Sequence, residues 1–252
     1  MALKFKDKTM RRKDKRSLKQ ALGGAVYVPT EEIRTPEQRV AKPIKPLRPL
    51  NEAQSNYINS IKANIITFGV GPAGVGKTYI AAAYAANLLK EGEIDTLIIT
   101  RPGVEAGRNW GALPGELEEK FAPFMEPFID VLNERLGKSH VEYLIKRGSI
   151  QAKPLEFMRG KSFNNCFCIL DEAQNTTPAQ MKLFLTRTGE NSKIIVDGDL
   201  EQKDINGMSG LLDATNKLWH VNNIGIVRFT LDDCVRGSGI VKDILRAYEG
   251  NK

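Results

Sequence analysis

The stretch Ile65–Leu89, IITFGVGPAGVGKTYIAAAYAANLL, constrains the fold of this chain more than any other. Ile65, Ile66, Phe68 and Val70 make a short apolar run rich in β-branched residues, the composition of a buried strand. Gly71–Thr78, GPAGVGKT, matches G-x-x-x-x-G-K-[ST] in full, and the eleven residues after it are nearly all helix formers, five of them alanine. Strand, glycine-rich turn and helix in that order predict a phosphate-binding loop in an α/β protein. Gly71, Gly74 and Gly76, with Pro72, Ala73 and Val75 between them, let the backbone curl until successive N–H groups converge on an anion. The helix start adds its unpaired N–H groups and positive dipole end. Lys77 is placed to reach the β- and γ-phosphates of a nucleoside triphosphate, and Thr78 to set its hydroxyl on Mg²⁺.

The charge is uneven. Nine Lys or Arg within the first 20 residues stand against Asp7 and Asp14, which accounts for the whole net charge of +7. Residues 1–28 therefore read as a basic arm that either contacts nucleic-acid phosphates or serves as a solubilising leader. Pro29, Pro36, Pro43, Pro46 and Pro49 predict an extended linker or strap over 29–49, leaving 50–252 for the phosphate-loop domain. At 252 residues with 41% apolar content, a sizeable core is available. No apolar run approaches the roughly 18 residues of a membrane span, and the charged N-terminus lacks a signal-peptide core, so a cytoplasmic location without membrane contact is expected. Cys166 and Cys168, in an apolar run, read as buried free thiols; with Cys234 the count is odd.

Further motifs fall at strand ends. Asn51–Ile61 reads as a helix, with Asn51 as cap and Gln54 either completing a capping box or offering its amide to adenine. Thr96–Thr100 (TLIIT) is a strand, and Arg101 follows at its carboxyl end, either touching nucleotide phosphate or a nucleic-acid backbone or lying as a surface charge. Phe121, Phe124, Met125, Phe128, Ile129 and Leu132 recur at helical spacing, as packing or as an aromatic contact surface. Arg159 and Lys161 either face a polyanion or lie in a solvated loop. Cys166–Leu170 (CFCIL) is a strand ending in Asp171-Glu172-Ala173-Gln174. An aspartate at a strand tip holds the water shell of Mg²⁺ opposite Thr78, and the adjacent glutamate orients or deprotonates a water for in-line attack. Thr177 and Pro178 start a helix that Gly189 is expected to end. Lys193–Val196 is a strand leading to Gly198, Asp199 and Gln202, and Gln202 is assigned to the attacking water or the γ-phosphate. Leu211–Leu218 is a helix, Ile224–Phe229 a strand and Ile240–Tyr248 a terminal helix. Arg236 contacts phosphate, within its own subunit or across an interface, or lies salt-bridged at the surface.

Together these segments resemble the PhoH family, ATPases whose core is similar to the first motor domain of superfamily 1 helicases. The resemblance runs over about residues 50–249 and rests on GPAGVGKT at 71–78, TRPGVEAG at 100–107, LPG at 113–115, RGKSF at 159–163, ILDEAQN at 169–175, GDLEQ at 198–202 and VR at 235–236. It implies a three-layer P-loop NTPase fold, RecA-like, with a mostly parallel sheet and helices on both faces. It also implies nucleotide roles for Gln54, Lys77, Thr78, Asp171, Glu172, Gln202 and Arg236, and a hexameric ring. Gly237 and Ser238 stand where members often carry histidine and proline. A single-core member with a basic arm is reminiscent of phage-encoded relatives. The expected function is Mg²⁺-dependent ATP hydrolysis coupled to RNA or single-stranded DNA. The alternatives are a regulatory or scaffolding ATPase that binds protein partners through 116–132, and a nucleotide kinase. A superfamily 1 motor needs two such cores, so if this chain translocates, neighbouring subunits complete its cleft.

Overall fold

The computed structural model describes residues 46–103, 117–158, 160, 162–236, 240, 243, 244, 246 and 247, with the side chains of the helix that begins at Leu117 described from Phe124 onward. The basic arm, most of the proline-rich segment, Trp110–Gly115, Arg159, Lys161 and Gly237–Gly239 lie outside the described residues.

Six strands form one sheet: β1 Ile66–Val70, β2 Thr96–Thr100, β3 Ile150–Ala152, β4 Cys166–Leu170, β5 Lys193–Gly198 and β6 Ile224–Arg228. Their spatial order is β3-β2-β4-β5-β1-β6, and every neighbouring pair is parallel. Parallel pairing demands crossovers, and the helices that supply them cover both faces. These are α1 Glu52–Ala63, α2 Lys77–Glu91, α3 Leu117–Leu136, α4 Lys138–Arg147, α5 Pro178–Leu185 and α6 Gly210–Leu218. This is the three-layer α/β P-loop NTPase architecture.

Strand alternation divides the core into two. On β4, Phe167 and Ile169 face α1–α4, while Cys166, Cys168 and Leu170 face α5 and α6. On β5, Ile195 joins the first layer, and Ile194 and Val196 join the second. Ala81, Ala82, Ala83, Ala85 and Ala86 of α2 are all fully buried. Their small side chains allow α2 to lie wedged between the sheet and α3. Lys193 donates its Nζ to Ile61 O (2.7 Å) and Asn64 O (2.9 Å), satisfying carbonyls at the C-terminal end of α1.

Met125, Phe128 and Leu132 of α3 are buried in the first core layer and Ile129 packs against it, so this part of the helical periodicity is packing, while the Phe121 side chain lies outside those described. The helix after Thr177 has the full capping box with Gln180 but stops at Leu185, short of Gly189. Gly189 serves a close approach instead: its N donates to Phe163 O, and a Cβ there would stand 2.6 Å from that oxygen. Cys166, Cys168 and Cys234 are free and buried. Among the described residues no helix is long and apolar enough to cross a membrane.

Candidate active site

Parallel strands deliver all their carboxyl ends to one edge of the sheet, and the predicted site residues collect there. Gly74 (φ 84) and Gly76 (φ 94) take left-handed conformations that turn the chain from β1 into α2. A side chain on Gly76 would meet Gln54 Nε2 at 2.7 Å.

The loop is held from several sides. Gly71 N donates to Gly198 O at 3.0 Å, tying it to the tip of β5. Val235 N and Arg236 N donate to Gly74 O at 3.0 and 3.1 Å, so Arg236 lies beside the loop of its own chain. Cys234 packs under the same glycine. Lys77, the first residue of α2, donates to Gly71 O (2.5 Å) and Pro72 O (2.8 Å). Thr78 follows in the first turn. Beside Gly71 and Pro72 lies a cavity of about 510 Å³, whose walls include Asp199, Arg228 and Thr230.

Gln54 is buried on α1. Asn51 caps that helix through Gln54 N, as expected, but the Gln54 side chain does not close a capping box. Its Oε1 accepts from Leu50 N (2.9 Å) and its Nε2 donates to Val75 O (2.8 Å). Both ends of the amide that would read adenine are thus occupied by main chain.

Asp171 follows β4, its N bonded to Thr100 O across the β2 pair. Arg101, at the tip of β2, donates Nε (2.9 Å) and Nη2 (2.5 Å) to Asp171 Oδ2, and its guanidinium lies 5.4 Å from the Phe124 ring centroid. The arginine expected on phosphate therefore sits on the expected metal carboxylate. Glu172 has φ 53, uncommon for a residue with a side chain. Burial pushes its carboxyl pKa up, the Asp171 charge adds to this, and the Gln174 hydrogen bond and the Arg101 and Lys77 charges oppose it. At the tip of β5, Asp199 caps the turn 200–202, and Gln202 turns its Nε2 onto Asp199 Oδ2 (2.9 Å).

The family model described as PhoH: PhoH-like protein matches residues 46–249. The chain belongs to the PhoH-like protein family. It is 45% identical over 207 residues to a PhoH-like protein of Bacillus subtilis, covering 81% of this chain and 65% of that protein. It is also 45% identical over 214 residues to Protein PhoH of Escherichia coli, covering 83% of this chain and 60% of that one. The chain thus spans somewhat under two thirds of the length of these PhoH relatives. Among solved structures, the large terminase of a thermophilic bacteriophage overlaps 79% of this chain and 50% of its own, with TM-score 0.47 and 11% identity, too distant a likeness to bear on function.

Two groups in this PhoH-like site escape sequence reasoning. Gln174 is buried between the β4 and β5 tips and bonds to both. Tyr57 of α1 donates its hydroxyl to Asp197 Oδ1 at 2.5 Å beneath the loop. Asp197 pairs in register with Gly69, where any Cβ would collide with the carboxylate. The one available signal was an aspartate inside the apolar run IIVDG.

Proposed function

We propose that the chain is a Mg²⁺-dependent ATPase whose turnover is coupled to RNA or single-stranded DNA, working as a ring of subunits, six by the family resemblance. One juxtaposition carries this reading: the phosphate loop that bears Lys77 is tied to the tip of β5 through Gly71 N and Gly198 O, and Gln174 joins that same tip to the half-buried Glu172 after β4, so loop and carboxylate share one sheet edge. In this reading the loop N–H groups from Gly71 to Gly76 bind phosphate oxygens. Lys77 exchanges its two loop carbonyls for the β- and γ-phosphates. Glu172, with its raised proton affinity, orients a water and accepts its proton, and Gln202 reports the γ-phosphate.

The donor set suits Mg²⁺. Among the described residues no three His, Cys, Asp or Glu side chains cluster as a metal cage. Thr78 and Asp171 offer one hydroxyl and one carboxylate, as expected for a cation that keeps waters and phosphate oxygens as its other ligands. Both Arg101 bonds use Asp171 Oδ2 alone. When bound, Mg²⁺ neutralises charge developing on the β- and γ-phosphate oxygens. Reading adenine with Gln54 competes with its bonds to Val75 and Leu50, and reaching a phosphate with Arg101 competes with its bonds to Asp171. The basic arm, residues 1–28, and loops of the ATPase domain, 50–252, supply nucleic-acid contact, with 29–49 the linker or strap between arm and domain. Met125, Phe128 and Leu132 are buried, so these three side chains are not available to dock protein partners.

The test is ATP turnover with Mg²⁺, with and without single-stranded DNA and RNA at low salt, alongside solution mass. Wild type is expected to hydrolyse ATP faster with one of these polymers, as an oligomer, and Lys77→Ala to lose turnover. Phosphorylation of a nucleoside monophosphate, or absence of both hydrolysis and nucleic-acid binding, would overturn the proposal.

A further inference from the structure

The tips of β4 and β5 are joined through one side chain. Gln174 is only 1% exposed, yet every polar atom of its amide is used across the two tips. Its Nε2 donates to Glu172 Oε2 at 2.6 Å and to the Gln202 main-chain oxygen at 3.3 Å, and its Oε1 accepts from Asp199 N at 3.0 Å. Asp199 in turn accepts from Gln202 Nε2 at 2.9 Å. A Cβ on Gly198 would stand 2.7 Å from Gln174 Oε1, so the glycine makes room for the bridge. The short bond to a carboxylate belongs to the stronger, charge-assisted class, and in a buried setting such links couple their members. Any buried amide needs partners for its polar atoms, and the partners here lie on two different strand tips. This one restrains the side chain of Glu172, whose backbone already sits in a sparsely populated conformation, and fixes it to the turn that carries Gln202.

We propose that Gln174 is the positioning residue that couples Glu172 to the Asp199–Gln202 turn, so that whatever shifts that turn on the γ-phosphate side also resets the carboxylate. The proposal rests on the ATPase reading above. Gln174 touches neither phosphate nor water in this scheme; it acts through Glu172.

Single- and multiple-turnover ATP hydrolysis and equilibrium nucleotide binding are compared for wild type, Gln174→Met, Glu172→Gln and the double variant. Methionine keeps length and burial but removes donor and acceptor. The expected result for Gln174→Met is kcat lower by roughly 10- to 100-fold with nucleotide Kd within about two-fold of wild type. In the Glu172→Gln background the same change is expected to cost less than about two-fold, because the carboxylate it serves is already gone. Wild-type kcat, parallel loss of kcat and binding, or full additivity in the double variant would each overturn the proposal. If methionine unfolds the chain, Gln174→Glu keeps the acceptor for Asp199 N and replaces the donor facing Glu172; reduced kcat at unchanged Kd supports the coupling, and unchanged kcat overturns it. Absence of ATP hydrolysis by wild type would sink the ATPase reading itself, full turnover by Glu172→Gln would remove the carboxylate that Gln174 is said to serve and so overturn the coupling, and a dead Glu172→Gln beside a fully active Gln174→Met removes Gln174 alone.

Discussion

Replacing Asp197 with asparagine should change how the fold responds to pH. Asp197 is fully buried, accepts the Tyr57 hydroxyl on Oδ1 and has no hydrogen-bond partner on Oδ2. Burial pushes its pKa from the ordinary 3.8 up to about 7; the Tyr57 bond and the Lys77 charge pull it down, and Asp171 and Glu172 push it up. The folded chain therefore holds a proton that the unfolded chain has released between those two values. Stability from this group is fully present below about 3.8 and is lost as pH rises through about 7. The slope between them is about 1.4 kcal/mol per pH unit, and from pH 5 to pH 8 the loss comes to about 2.5 kcal/mol. For a domain of this size that is a Tm difference of about 5–10 °C. Asparagine keeps the shape and an acceptor for Tyr57 but carries no ionisation. Thermal unfolding of wild type and Asp197→Asn at pH 5, 6.5 and 8 compares the two, since every other titratable group is present in both. The variant should gain on wild type by that amount as pH rises, whatever its offset at pH 5. Parallel curves would refute a protonated carboxyl beneath the loop.

Gln54→Ala should leave Val75 O and Leu50 N without side-chain partners, at a cost of about 1–3 kcal/mol, and steady-state kinetics should show KM for ATP rising more than kcat falls. Arg101→Ala should leave the buried Asp171 carboxylate without its counter-charge, costing about 3 kcal/mol. The Tm deficit of that variant should shrink when Mg²⁺ and nucleotide are added, and a deficit independent of both would show that Asp171 does not meet the metal.

The phosphate loop was legible because its chemistry is local: eight consecutive residues carry the turn, the lysine and the hydroxyl. Asp171-Glu172 and the Gln202 turn were legible because an apolar run ending in polar residues marks a strand tip, and parallel strands share one edge. What the chain order hides is which tips become neighbours. β4 and β5 are adjacent, and β5 lies beside β1, although β1 is separated from β5 by more than a hundred residues. The Gln174 bridge and the Tyr57–Asp197 pair exist only through that adjacency. The partner of Arg101 depends likewise on β2 lying beside β4. Gln54 was visible as an amide near the loop, but its bonding to main chain required α1 to be docked. Gly189 looked like a helix stop because sequence cannot distinguish that use of glycine from a close approach to Phe163.

The central claim is that the Lys77 loop and Glu172 form one hydrolytic site. Measuring Mg·ATP binding and single-turnover hydrolysis for Glu172→Gln beside wild type tests it directly. Nucleotide affinity is expected within about five-fold of wild type and hydrolysis slower by at least roughly 100-fold. Hydrolysis by Glu172→Gln at the wild-type rate would contradict it.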